Sequence, residues 1–207
     1  MHELNLWKRN LGAVPESVLD EDVERLILAD NGLSSISPNI GRLTKLRMLD
    51  LGHNKLSAVP EEIGNLAELD FLYLHDNALA SLPPSLRDLC KLRYLNVSQN
   101  HLTSLPVIAS LVELRATDND IAALPEELGA MTSLRELHLR NNKLATLPAT
   151  VAQLRELRQL DLRGNPLASL PEALLELPRL EKVDVRWVRI DDAVLDRLEA
   201  RGCLVYR

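Results

Sequence analysis

Aliphatic residues recur along this chain at positions 1, 4, 6, 11 and 14 of a block, with asparagine at position 9 and proline at position 15. The pattern is plainest in "LRMLDLGHNKLSAVP" from Leu46, "LDFLYLHDNALASLP" from Leu69 and "LRYLNVSQNHLTSLP" from Leu92. It also opens at Val23, Leu111, Leu134 and Leu157, with degraded copies at Met1 and Leu180. An aliphatic residue usually follows the proline by three positions. The units are 22, 23, 23, 23, 19, 23, 23, 23 and 28 residues long and account for all 207. One domain, 1–207, is expected. A period in this range points to a solenoid or a propeller. The alternation at positions 4 to 6 predicts a single strand per unit, which excludes four-stranded blades. Read alone, "FLYLHDN" (Phe71 to Asn77) fits either strand phase, because a slip of one residue exchanges the two faces. The repeat fixes the phase: Leu72 and Leu74 point inward, so Phe71, Tyr73 and His75 point outward.

These LxxLxLxxNxLxxLP units resemble those of leucine-rich repeat proteins, of the intracellular or bacterial type with a 23-residue unit. The resemblance implies an α/β solenoid: a right-handed superhelix or horseshoe with a concave parallel sheet and short helical or extended convex segments. Elementary physics points the same way, since parallel strands about 4.8 Å apart would stack equivalent leucines into interior columns. Asn31, Asn54, Asn77, Asn100, Asn119, Asn142 and Asn165 share one position. An amide carries both donor and acceptor, so such a row can satisfy backbone groups where the chain turns into the core. Arg9 and Val188 replace it in the end units. The prolines suit an extended convex segment without ladder hydrogen bonds.

Residues at the outward strand positions define the concave face. Ile27, Met48, Phe71, Tyr73 and Tyr94 gather there as one apolar patch, and five of the six aromatic residues fall in these columns. Exposed aromatics and methionine are the composition of protein-binding surfaces; the plainer reading is cross-strand stacking that stiffens the sheet. Asp50, His75, Asp76, Arg140 and Arg163 are the polar candidates for specificity. Arg140, Arg163 and Arg186 form a row that would orient an acidic segment, or that Glu136, Asp161 and Asp184 simply neutralise. Trp7 and Trp187 lie in end units, where covering the open core is the alternative. His53, His75 and Asp76 share neighbouring columns, a spacing that on an open sheet is usually coincidence, so no metal or other cofactor is expected.

The unit from residue 92 to 110 lacks four residues of its convex segment, and the following unit has Ala116 at an inward position. A bend or weak seam near 105–117 is expected. After Ile190, "DDAVLDRLEARG" reads as a capping helix with Asp191 and Asp192 at its start and Gly202 as a stop, and "CLVY" closes the edge; the cap spans 191–207.

Net charge −6 and a pI near 5.4 argue against nucleic acid or an anionic membrane as partner. Two cysteines, Cys90 and Cys203, make no disulfide framework. The start of the chain is not a signal peptide, and no apolar run approaches a membrane span. The expectation is a cytoplasmic, monomeric, non-enzymatic module that binds a protein or peptide on its concave face as a signalling scaffold or regulator. The alternative is the recognition portion of a larger enzyme, or of a bacterial effector delivered to a host cytoplasm. No phosphate loop, Cys-x-x-Cys, His-Glu-x-x-His or Gly-x-Ser-x-Gly motif occurs.

Overall fold

Three-residue strands, one per repeat and one more in the C-terminal cap, form a single parallel sheet in chain order. The computed structural model describes residues 2–190 and 193–207. Its strands are β1 (Glu3–Asn5), β2 (Arg25–Ile27), β3 (Met48–Asp50), β4 (Phe71–Tyr73), β5 (Tyr94–Asn96), β6 (Glu113–Arg115), β7 (Glu136–His138), β8 (Gln159–Asp161), β9 (Lys182–Asp184) and β10 (Leu204–Tyr206). The register aligns equivalent residues of successive units: Met48 with Phe71, Phe71 with Tyr94, and Leu49 with Leu72 and Leu95. Leu26, Leu49, Leu72, Leu95, Leu114 and Leu137 at strand centres are buried, as are Leu28, Leu51 and Leu74 two residues on. Each buried leucine contributes roughly 2 kcal/mol.

The asparagine ladder joins the turns. In Asn100, Nδ2 donates to the carbonyls of Leu74 (3.0 Å), Val97 (3.0 Å) and Ser98 (3.2 Å), while Oδ1 accepts from the N–H of Leu79 (3.0 Å). Two of those four partners belong to the preceding unit. Asn77, Asn119, Asn142 and Asn165 repeat the arrangement. In the first unit Arg9 stands in place of asparagine.

On the convex side the prolines start helices rather than extended runs. Pro15, Pro60, Pro83, Pro125, Pro148 and Pro171 each precede a five-residue 3₁₀ turn, with φ between −62° and −69°. Each proline carbonyl accepts the N–H of the residue three positions on, for example Ile63 to Pro60 at 3.2 Å, and that residue is buried. Ser37 fills the same position before the turn Pro38–Arg42, and its hydroxyl accepts from the Asn39 N–H.

The shortened unit departs from expectation. Its sheet edge carries no seam: Val97 N–H reaches the Arg115 carbonyl at 2.8 Å and Gln99 N–H the Thr117 carbonyl at 2.8 Å, as short as elsewhere. The missing residues all follow Pro106, outside the strand, so the ladder is unaffected. The interruption is convex instead. Among the described residues no 3₁₀ turn follows Pro106, and the turns Pro84–Asp88 and Glu126–Ala130 do not meet.

At the C-terminal end, α1 (Ala193–Ala200) buries Val194, Leu195 and Leu198, Gly202 stops it at φ +91°, and β10 pairs with β9. The proposed start at Asp191 and Asp192 lies outside the described residues. Arg201 adds a contact that the sequence did not suggest, donating to the carbonyls of Leu175 (2.6 Å) and Leu177 (2.8 Å). No helix among the described residues is long and apolar enough to cross a membrane.

Replacing Asn100 by Asp removes three donated bonds and buries a carboxylate against carbonyls. The change is expected to cost about 3 kcal/mol in urea unfolding followed by circular dichroism. A loss below about 1 kcal/mol would show that the ladder is not what joins the turns.

Candidate functional site

Every sequence-predicted anchor stands on the concave face, on strands β2 to β5. Ring centroids of Tyr73 and Tyr94 are 5.0 Å apart and those of Phe71 and Tyr94 6.3 Å, in tilted contacts. Tyr73 meets His75 edge-on at 6.4 Å, and His75 meets His53 at 4.7 Å. The rings therefore form one continuous run, both stacked on each other and open on the outer side. Phe71 is 41% exposed although it is the only phenylalanine. Burial raises the Tyr73 and Tyr94 phenols, so both remain neutral donors.

Beside these rings lies an open pocket of about 390 Å³ lined by Glu24, Arg25, Arg47, Met48, Asp70, Phe71 and Tyr73. Its rim charges are already paired. Arg47 binds one Asp70 oxygen through two nitrogens at 2.8 and 3.0 Å, and Arg25 faces Glu3 at 3.4 Å. The Arg25 guanidinium also rests on the Met48 sulfur at 3.2 Å. What the pocket offers beyond these pairs is the apolar surface of Met48 and Phe71 and the ring of Tyr73. Ile27 stands on β2 two residues beyond Arg25, aligned with Asp50.

Backbone geometry claims several polar candidates. Lys8, Asp30, His53, Asp76, Gln99, Asp118, Asn141 and Trp187 all have φ between +52° and +65°, and Gly164 shares the position at +66°. The chain turns left-handed there in every unit, a conformation that favours Gly, Asn, Asp and His. Asp76 and His53 thus answer first to the turn. Likewise Asp50 accepts the Gly52 N–H at 2.9 Å, and Asn5, Asn96, Asp161 and Asp184 accept equivalent bonds. These carboxylates and amides close the ends of β1, β3, β5, β8 and β9.

His75 is held differently. Its ring packs over Gly52, where an added Cβ would sit 2.3 Å from the imidazole Cε1. Burial, with a smaller contribution from His53, lowers its pKa. His53 in turn bonds Asp76 at 2.5 Å.

The arginine row is separate from the aromatic patch and largely neutralised. Arg163 grips Asp161 with two bonds at 2.6 and 2.9 Å, and Arg186 grips Asp184 at 2.8 and 3.0 Å. Arg140 lies 3.7 Å from Asp118, and its buried Nε has no hydrogen-bond partner. The end-unit tryptophans do not cover the core: Trp7 is 57% and Trp187 69% exposed. Trp187 adopts φ +65°, rare for a bulky residue, with the guanidinium carbons of Arg163 and Arg186 each 5.9 Å from its ring centroid.

Sequence reasoning missed two features. The pocket rim at Glu24, Arg25, Arg47 and Asp70 depends on neighbouring strands meeting, and its only signal was the 23-residue spacing of Arg47 and Asp70. Glu113, Glu136 and His138 converge with ligand atoms within 4.8 Å of one another; their shared face was readable from the columns, but their convergence was not.

Two family models match, a leucine-rich repeat region over residues 34–140 and a leucine-rich repeat over 132–187. A comparison with curated proteins returns no match. Among solved structures, a leucine-rich repeat protein of Leptospira interrogans superimposes with TM-score 0.77 at 28% identity over 99% of this chain. The plant peptide hormone receptor RGFR1, in complex with RGF2, gives TM-score 0.76 at 30% identity over 87%, and a TDR receptor 0.73 at 27% over 82%. This chain spans 60%, 30% and 32% of those three chains. The unit pattern, the ten-stranded parallel sheet and a family match over more than half its length place the chain in the leucine-rich repeat family, a fold that typically serves binding rather than catalysis.

Proposed function

We propose that this chain is a non-enzymatic recognition module, a signalling scaffold or regulator, that takes a protein or peptide segment on its concave face. Ile27, Met48, Phe71, Tyr73 and Tyr94 act as the apolar anchors, and His75 marks one polar edge. The observation that carries the reading is the run of half-open rings beside the 390 Å³ pocket. A core would normally claim these side chains, whereas exposed aromatics backed by rigid strands are typical of binding hot spots. Their mutual stacking supports recognition too, since rings held by neighbours lose little rotamer freedom when a partner covers them. The closed ion pairs on the pocket rim favour an apolar side chain as the anchor. The RGFR1 structure, a receptor bound to a peptide hormone, supports a peptide as one class of occupant for this fold.

That this module is the recognition part of a longer protein is a second reading. Its support is the coverage: the chain spans 60% of one compared structure and 30% and 32% of the other two.

Peptides selected from a displayed random library on the immobilised protein provide a test. Phe71→Ala and Tyr73→Ala should each weaken the selected peptides about thirtyfold, near 2 kcal/mol. Binding unchanged in both variants, with circular dichroism intact, would remove the patch from the account.

His75 adds a pH condition. Its folded-state pKa lies below the unfolded value of about 6.5, so the unfolded chain takes up its proton first as pH falls. Stability is therefore full above about pH 6.5 and declines below it. His75→Gln should flatten this decline in urea titrations taken from about pH 7.5 to about pH 5. An identical slope in wild type and variant would contradict it.

A further inference from the structure

We propose that Glu113, Glu136 and His138 form a binding site for a divalent transition-metal ion of the zinc class on the concave face of β6 and β7. Parallel register sets Glu113 directly beside Glu136, and His138 follows two residues later on the same face. The ligand atoms already converge: His138 Nε2 lies 3.1 Å from Glu136 Oε2 and 4.0 Å from Glu113 Oε1, and one atom from each of the three falls within 4.8 Å of the others. All three side chains are largely covered, with 20–33% of their surface exposed.

Two carboxylates directly opposite each other on one sheet face repel. The surroundings only half resolve that repulsion. Arg115 binds Glu113 Oε1 through Nε at 2.5 Å, while Glu136 has the imidazole as its partner. A divalent ion between the three would compensate both carboxylates. It would take the place of a proton on His138 Nε2 and draw on the Glu113 carboxylate, with Arg115 as the outer contact that orients Glu113. One imidazole and two carboxylates suit zinc and its neighbours, whereas magnesium and calcium prefer oxygen donors throughout. Three protein ligands leave a coordination position for water or for a donor from a bound partner.

The set differs from the histidines considered from sequence. His75 turns the Cε1 edge of its ring toward Gly52 and His53 is engaged by Asp76, and the two rings meet edge to face.

Isothermal titration of the whole chain with zinc sulfate near neutral pH tests the site. Saturable binding of one ion is expected, together with a shift of the His138 ring resonances. His138→Gln and Glu136→Gln should each weaken binding at least tenfold, on the scale set by ligand-shell changes. His101→Gln, at an exposed histidine on another surface, should bind as wild type does. Circular dichroism checks each variant, and Glu113→Gln replaces any that fails to fold. No saturable binding up to roughly 1 mM zinc, a concentration corresponding to about 4 kcal/mol, would overturn the proposal. So would wild-type affinity in His138→Gln, or loss of binding in His101→Gln.

Discussion

Each asparagine amide ties one turn of this coil to the turn before it, and the remaining structure depends on that bond. Short parallel strands bury little on their own. A three-residue strand makes few ladder hydrogen bonds, and the chain leaving it must carry carbonyls and N–H groups into a hydrocarbon interior. Asn100 satisfies three carbonyls and one N–H at that point. With the polar demand met at one position, positions 1, 4, 6, 11 and 14 can all be aliphatic. The ladder also fixes the phase of the strand, and the phase decides which side chains a partner can meet.

Much of the fold was legible because it is a one-dimensional problem repeated. Seven copies of a leucine pattern fix a register that a single copy leaves open, as "FLYLHDN" shows. The convex side was less legible. A proline before an aliphatic three residues later fits either an extended run or a single 3₁₀ turn, and only neighbouring turns packing together decide it. The shortened unit carried a misleading signal. Its deletion suggested a weak seam, yet all the missing residues lie after Pro106, so the strand ladder passes through at normal lengths. The ion pairs at one-unit spacing, Arg47 with Asp70, Glu68 with Lys91 and Asp120 with Lys143, were present in the sequence as columns of opposite charge. The more exposed of them, Glu68 with Lys91 and Asp120 with Lys143, each contribute little.

The candidate site was legible in its apolar half and less so in its polar half, for a reason the backbone supplies. Outward residues are of two kinds. Asp50 and Asp76 occupy positions where the strand end needs an acceptor or a left-handed turn needs a short polar side chain. Residues of that type recur in unit after unit, and their identity says little about a ligand. Met48, Phe71 and Tyr94 stand where the backbone makes no demand, since equivalent positions in other units hold Glu113, Glu136 and Gln159; Tyr73 shares the column of Asp50 but, like Arg115 and His138, is not one of its short acceptors. Subtracting the first kind leaves the aromatic run and its pocket as the part of the concave surface that the fold does not explain.

The same subtraction gives Trp187 a different standing from Trp7. Its position requires a left-handed backbone, which the other units meet mostly with Asp, Asn, Gly or His. A bulky aromatic there costs roughly 1–2 kcal/mol. Trp187 recovers no core burial in return, being more than two-thirds exposed, and its ring is approached by Arg163 and Arg186. Those cation contacts offset part of the strain, about 0.5–1 kcal/mol each at an exposed site. The arginines are themselves fixed by Asp161 and Asp184, so ring and guanidinium planes are held together as one rigid surface. The C-terminal third of the concave face is therefore a closed polar network around a strained ring, whereas the N-terminal half is an apolar pocket with satisfied edges. A segment lying along the whole face would meet apolar anchors first and a neutralised charge lattice last, so its affinity would come from the pocket end and its alignment from the other.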